Sequence, residues 1–396
     1  MSSISSATVP KGFKITDTND QSRSYTVEES IGEGRFAIVY KALSSSGEYV
    51  AIKLNIPDKR DSNLKAEKEA RTLQFLVDVP HTPQFLCTFK TKVDSKELIA
   101  IVTRLIPCKD TFGAFLDPDS TSKFTCEKTF LLAGQILESL EVLHRDKQCA
   151  HRDVKTENLF LNEETSEAFL IDFGSIRELQ NMPADEPIGT HRFKPPELVF
   201  TLSYKKRFDA SVDLWALGAS LFALYTKSSL IEITHDKSFW KSDYLEQLVQ
   251  NFGMPNKEFI ESLGAIESAF FNPIKVDGVV TGYSLRNPPN QYSPEFRWIE
   301  HFNKLKLYAN KHYPGLPLWK ARIFIAAKHK KETPEQAEKI IRLIESMLNY
   351  ELRQSYLSIP NYEERVKITA VGCLKTLAAE TSKPKVIIHT GESKDN

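Results

Sequence analysis

No run of apolar residues in this 396-residue chain approaches the roughly 18 that a membrane-crossing helix requires. The serine-rich start, Met1 to Ser6, carries no apolar core of the kind a secretory signal needs. Cysteine is scarce. The five, Cys87, Cys108, Cys126, Cys149 and Cys373, are odd in number, scattered and without a CxxC pair. That argues against a disulfide frame or a cysteine zinc site and leaves reduced thiols as the expectation. Surplus charge is missing as well. With 52 lysines and arginines against 52 aspartates and glutamates, the balance gives no argument for a nucleic acid or an acidic membrane as partner. No internal repeat is visible. Together these absences predict a soluble protein of the cytoplasm, the nucleus or both.

What is present begins with length, enough for one large domain in two lobes or for two domains. Residues 1–24, rich in Ser, Thr, Asp and Asn, read as a disordered tail. Residues 25–106 read as a small lobe of short strands with one helix over Asn63–Leu76. From 107 to 379 helical patterns dominate. Lys128–His144 repeats apolar residues at Leu132, Ile136, Leu140 and Leu143. Ala210–Tyr225 is apolar nearly all round, which predicts burial and makes the carboxylate of Asp213 conspicuous within it. Thr333–Asn349 is amphipathic, with Thr333 as cap, Pro334 in the first turn and Gln336 completing a capping box. A last helix is expected over Val366–Ala379, then a polar tail over 380–396. The stretch from Phe270 to about Lys331 is rich in aromatics and proline, and reads either as an insert that docks a partner or as packing of the lobe.

The chemistry gathers in His151-Arg-Asp-Val-Lys-Thr-Glu-Asn158, between the helix that ends near His144 and a short apolar strand, Leu159–Leu161. Asp153, Lys155 and Asn158 share one turn. A second acidic turn, Asp172-Phe-Gly174, follows the apolar strand Ala168–Ile171. One carboxylate able to take a hydroxyl proton, an amide five residues on and a second carboxylate after a strand suit metal-assisted phosphoryl transfer, in which oxygen ligands hold Mg²⁺ on a nucleotide.

These residues resemble the catalytic and metal loops of eukaryotic protein kinases, and the resemblance extends from Tyr25 to Ser355. It implies an α+β, bilobal fold and ATP with Mg²⁺ as cofactors. Asp153, Lys155, Asn158 and Lys53 would be catalytic, with Asn158 and Asp172 as metal ligands. Gly32-Glu33-Gly34-Arg-Phe-Ala37-Ile-Val39 departs from the family glycine loop by Ala37 in place of a third glycine but keeps both turn glycines. The nucleotide would lie on Ile31, Gly32, Glu33, Gly34 and Ala37, under a roof of Val39 and Ala51 and over Phe160. Lys53 would hold phosphates and pair with a helix glutamate. Glu67 and Glu69 are both candidates, with Glu69 favoured by its spacing to Leu73. Thr103 would guard the back of the adenine slot, and Arg104 to Ile106 would offer backbone groups to adenine. Asp213 would accept N–H bonds from the catalytic loop, and Arg353 would pair with Glu197.

Gly189-Thr190-His-Arg-Phe193-Lys-Pro195-Pro196-Glu197 resembles the end of a kinase activation segment, with Phe and Pro replacing the usual Tyr and Ala. Thr190 and Lys155 imply serine/threonine specificity. No Ser, Thr or Tyr stands between Ile176 and Gly189, so Asp185 or Glu186 would replace a phosphate opposite Arg152, or none is needed. The glycine-loop tip, Arg35-Phe36, likewise offers no hydroxyl. With Leu245–Leu248 and Phe252–Pro255, this resembles the cyclin-dependent-kinase group and, within it, the fungal single-subunit activating kinases. The implied partner is a protein substrate of a monomeric enzyme, a cyclin-dependent kinase among the candidates. Three other readings stay open: a pseudokinase scaffold, a small-molecule phosphotransferase, and a kinase that needs an activating subunit.

Overall fold

The computed structural model describes residues 9–34, 37–56, 62–106, 124–181, 189–200, 209–232, 240–262, 270–286, 297–350 and 369–382. In the first lobe, alternation of buried and outward side chains makes strands. Ile38, Tyr40 and Ala42 alternate on one strand and Val50, Ile52 and Leu54 on the next, all buried. Six strands result: β1 (Lys14–Thr16), β2 (Ser24–Glu33), β3 (Ala37–Ser44), β4 (Tyr49–Asn55), β5 (Phe85–Val93) and β6 (Lys96–Arg104). They form one antiparallel sheet in the order β1-β2-β3-β4-β6-β5. One face closes a core with Ile15, Val27, Ala100 and Val102. The other presents Ile99 and Ile101 to helix α1 (Ser62–Phe75), whose Ala66, Ala70 and Leu73 continue into the core of the second lobe.

The tail expected over residues 1–24 is corrected by this lobe for residues 9–24. Ile15 is fully buried, β1 pairs with β2, and Val9 N–H donates to the Tyr40 hydroxyl at 3.0 Å. Thr18 then reaches the far edge of the sheet, its N–H and its hydroxyl both donating to Lys90 O at 2.8 and 3.0 Å. Three spaced apolar residues, Val9, Phe13 and Ile15, suffice because the sheet edge supplies the backbone partners.

The first helix described in the second lobe is α2 (Cys126–Glu141), capped by the Thr125 hydroxyl and ending in a π turn over Val142–Asp146. Two small antiparallel pairs follow. β7 (Cys149–Ala150) pairs with β10 (Arg177–Glu178), and β8 (Leu159–Asn162) with β9 (Glu167–Leu170). Then come α3 (Pro196–Phe200) and α4 (Ser211–Thr226), which is buried on every side as its composition predicts. Next are α5 (Trp240–Phe252), α6 (Lys257–Ser262) and a hairpin of β11 (Phe271–Val276) and β12 (Val279–Leu285), turned at Asp277-Gly278. The last helices are α7 (Arg297–His312), α8 (Leu318–His329), α9 (Pro334–Leu348) and α10 (Ala370–Ser382). The expected capping box at Thr333 and Gln336 is formed. A Cβ on Gly218 would come within 3.1 Å of Met347 and Leu348, so the absence of a side chain lets α4 lie directly against α9.

Two further expectations are refined. The polar tail expected from residue 380 is still helix at Glu380, which is buried and takes Arg342 Nε and Nη2 at 2.7 and 2.8 Å. The stretch 270–331 is divided: Trp319, Ala321 and Ile323 of α8 are buried, whereas Ile274, Val276 and Val279 of the hairpin face outward.

Candidate active site

Asp213 secures the polar turn from below. Its Oδ2 accepts His151 N–H at 2.7 Å and His144 Nε2–H at 2.9 Å, and its Oδ1 accepts Arg152 N–H at 2.7 Å. Burial alone would raise its pKa. The His144 hydrogen bond and charge, the His151 ring and the Arg152 amide outweigh that and hold it below the ordinary aspartate value. The anchor also holds Arg152 at φ +72°, a backbone that side-chain-bearing residues seldom adopt. His151, fully buried, places Nε2 3.0 Å from Ile171 O and packs edge-on against Phe173 with 4.9 Å between ring centroids. A carbonyl only accepts, so Nε2 carries the proton. Its Nδ1 then accepts Asp153 N–H at 3.3 Å. One ring thus ties the first acidic turn to the strand that leads to the second.

The Asp153 carboxylate is held from two sides. Lys155 Nζ lies 2.7 Å from Oδ2, and Thr190 Oγ1–H donates to Oδ1 at 3.0 Å across 37 residues. Gly189 makes this approach possible. Its φ is +64°, and a Cβ there would stand 3.1 Å from Arg152 O. Asn158 Nδ2 donates to Asp153 O at 2.8 Å, which leaves its Oδ1 as the oxygen to present to a cation.

Asp172 has φ +65° and accepts Gly174 N–H at 3.4 Å. Across the cleft, Lys53 on β4 meets Glu69 on α1, Nζ to Oε1, at 2.6 Å. Glu67 pairs with Arg71 on an exposed face instead, which decides between the two candidates. Burial works against the Lys53 charge, yet the Glu69 and Asp172 carboxylates outweigh it and raise its pKa above the ordinary lysine value. Burial likewise works against the charge on Asp172, but Lys53, His151 and Lys155 hold its pKa below the ordinary aspartate value. The Lys53 ammonium and the Asp172 carboxylate thus each favour the other's charged form.

The donor set fits a magnesium nucleotide. No cluster of three or more His, Cys, Asp and Glu side chains that could hold a metal exists among the described residues. The charged Asp172 carboxylate and the Asn158 oxygen are two hard ligands, the number suited to an ion that takes its remaining ligands from phosphates and water. Strand register sets the rest of the cleft. Val39 lies opposite Lys53, Ala51 opposite Thr103, and Gly32 and Glu33 opposite Val39 and Ile38. Gly34 N–H donates to Ala37 O at 2.8 Å, which closes the loop's base, and Ile31 is 47% exposed at its lip. Phe160 is half-buried on β8, and Ile106, half-buried, follows β6. Arg104 N–H is committed to Gln84 O at 2.8 Å, so the expected hinge donor at that residue is already used.

His144 was not singled out by the sequence, although it lies at the helix end just before the motif. Nor does the sequence mark Tyr244. Its hydroxyl donates to Lys194 O at 2.6 Å and fixes the segment after Thr190. Arg35, Phe36, Asp185, Glu186 and Arg353 lie outside the described residues. The family model described as the protein kinase domain matches residues 25–355, most of the chain.

Proposed function

This chain belongs to the protein kinase family, and from that premise we propose that it transfers the γ-phosphoryl group of Mg-ATP to serine or threonine hydroxyls of proteins. The observation that carries the reading is the bridge of Lys155 and Thr190 onto the two oxygens of Asp153. It supports a fixed carboxylate beside a lysine, aimed at an incoming hydroxyl. In the proposed reaction the substrate hydroxyl oxygen bonds to phosphorus as the bond to the ADP oxygen breaks. Asp153 orients the hydroxyl and accepts its proton. Lys155 offsets charge on the transferring group, and Lys53, held by Glu69, aligns the phosphates. Asn158 and Asp172 would hold Mg²⁺, which when bound neutralises charge developing on the phosphate oxygens. Position and preset electrostatics supply most of the acceleration.

The finer reading concerns control. No hydroxyl residue stands between Ile176 and Gly189, which supports activity without phosphorylation of that segment. With the Phe252–Pro255 stretch, this favours a monomeric kinase of the cyclin-dependent-kinase group that acts upstream of another kinase. A peptide-library assay with phosphoamino-acid analysis tests the first reading, with Asp153→Asn as control. Phosphotyrosine alone, or transfer that survives in the variant, would reject it. Bacterially made protein treated with phosphatase tests the second and should keep its full rate.

A further inference from the structure

Residues 297–331 concentrate positive charge in a chain that has none overall. Nine lysines and arginines stand there against one acid, Glu300. Part of that charge is used inside the fold. Arg322 is buried and donates to Ser228 Oγ and Ser229 O at 2.8 and 2.6 Å. Lys320 pairs with Glu345 at 2.5 Å, and Lys330 lies over the Tyr225 ring. Lys306 and Lys311 of α7 lie on its exposed surface instead. Ala309 turns inward to a small cluster with Leu318 and Ala321 of α8. At about 100° per residue, positions 304, 307 and 311 fall on the opposite side of the helix, with 308 beside them. All four are exposed, and Lys306 is exposed on the flank. Leu307 is 72% exposed, more than any other large apolar side chain described. Tyr308 is held in place against the His312 ring, 4.2 Å between centroids. On this face Leu307 and Tyr308 adjoin, an apolar pair bordered by Lys306 and Lys311 rather than a side chain exposed singly.

We propose that the outer face of α7 docks an acidic segment of a partner protein. Its apolar side chains would settle on Leu307 and Tyr308, and its carboxylates would meet Lys306 and Lys311. Complementary charge sets the sign of the partner and steers its approach. The apolar pair selects a protein segment over a nucleic acid. A phosphate backbone would satisfy the lysines but leave Leu307 and Tyr308 uncovered.

The test uses the full-length protein and a fluorescent peptide of about twelve residues, built from Asp and Glu with leucines four apart to present one apolar stripe on a helix. Anisotropy should show saturable binding that weakens as salt rises. Leu307→Asp combined with Lys311→Glu should weaken it about tenfold or more, a loss of roughly 1.4 kcal/mol. Lys306→Glu with Lys311→Glu, which alters surface lysines only, should weaken it in the same direction. Both variants should keep the wild-type melting temperature. Binding is read without phosphate transfer, so it stands or falls separately from the kinase reading. Absence of saturable binding, or equal binding by both variants, would overturn the proposal. So would tighter binding of duplex DNA or of anionic-lipid vesicles, or self-association that the peptide displaces.

Discussion

The turn His151–Asn158 and the stretch 270–331 belong to the same lobe and are built in opposite ways. In the turn, polar groups meet named partners at short range: Asp213 takes two backbone amides and a histidine, Asp153 a lysine and a threonine hydroxyl, and Asn158 a carbonyl. In the stretch, one layer (Trp319, Ala321, Ile323) is locked into the core, while Val276, Val279 and Leu307 face solvent. The first arrangement fixes a geometry before any ligand arrives, which is what positioning chemistry needs. The second keeps only enough packing to hold a surface in place. A change should therefore be felt as lost chemistry or lost stability in one region and as altered association in the other.

The largest break is expected at Asp153→Asn, which should cut kcat about 10³-fold, the range of a lost proton acceptor, in a radiolabel transfer assay with the melting temperature preserved. Next comes Asp213→Ala. It strips the acceptor from His144 and two amides, and breaking such a buried ionic contact costs about 3–5 kcal/mol, measurable by urea unfolding. Glu69→Gln leaves Lys53 with a weaker partner. Loss of charge assistance is worth about 1–2 kcal/mol, so a roughly tenfold fall in kcat/KM for ATP is expected from steady-state kinetics.

Acid titration sharpens the same contrast. The Asp213 pKa is held below its ordinary 3.8. Its contribution to stability is therefore full above the unfolded value and disappears as pH falls through the folded one. Below about pH 4, the wild type should lose stability more steeply than Asp213→Asn, as followed by circular dichroism. The smallest effect is expected in the hairpin, where Val279→Ser at a 64% exposed site should change stability by no more than about 0.5 kcal/mol.

Much of the turn was legible because its parts are adjacent in the chain and their spacing is chemical. Asp213 could be anticipated as well, since a carboxylate in an apolar helix requires a partner. Glu69 emerged over Glu67 from helical spacing, and Arg71 takes up the rejected candidate. The rest depended on contacts between distant segments. Nothing near Glu380 announces Arg342, 38 residues earlier, and nothing in Lys14–Thr16 announces a strand until an edge of β2 exists to receive it. The commitment of Arg104 N–H to Gln84 arises from tertiary pairing at the end of β6, which local pattern does not encode.

Thr18 gives the first lobe a fastened seam. The family match begins at residue 25, but the backbone that covers the outer rim of β2 and ties back to Lys90 lies ahead of it. A recombinant fragment trimmed to the matched boundary would uncover that rim, and an uncovered strand rim invites pairing between copies. Material that precipitates after such trimming would reveal a missing selvedge rather than a faulty catalyst.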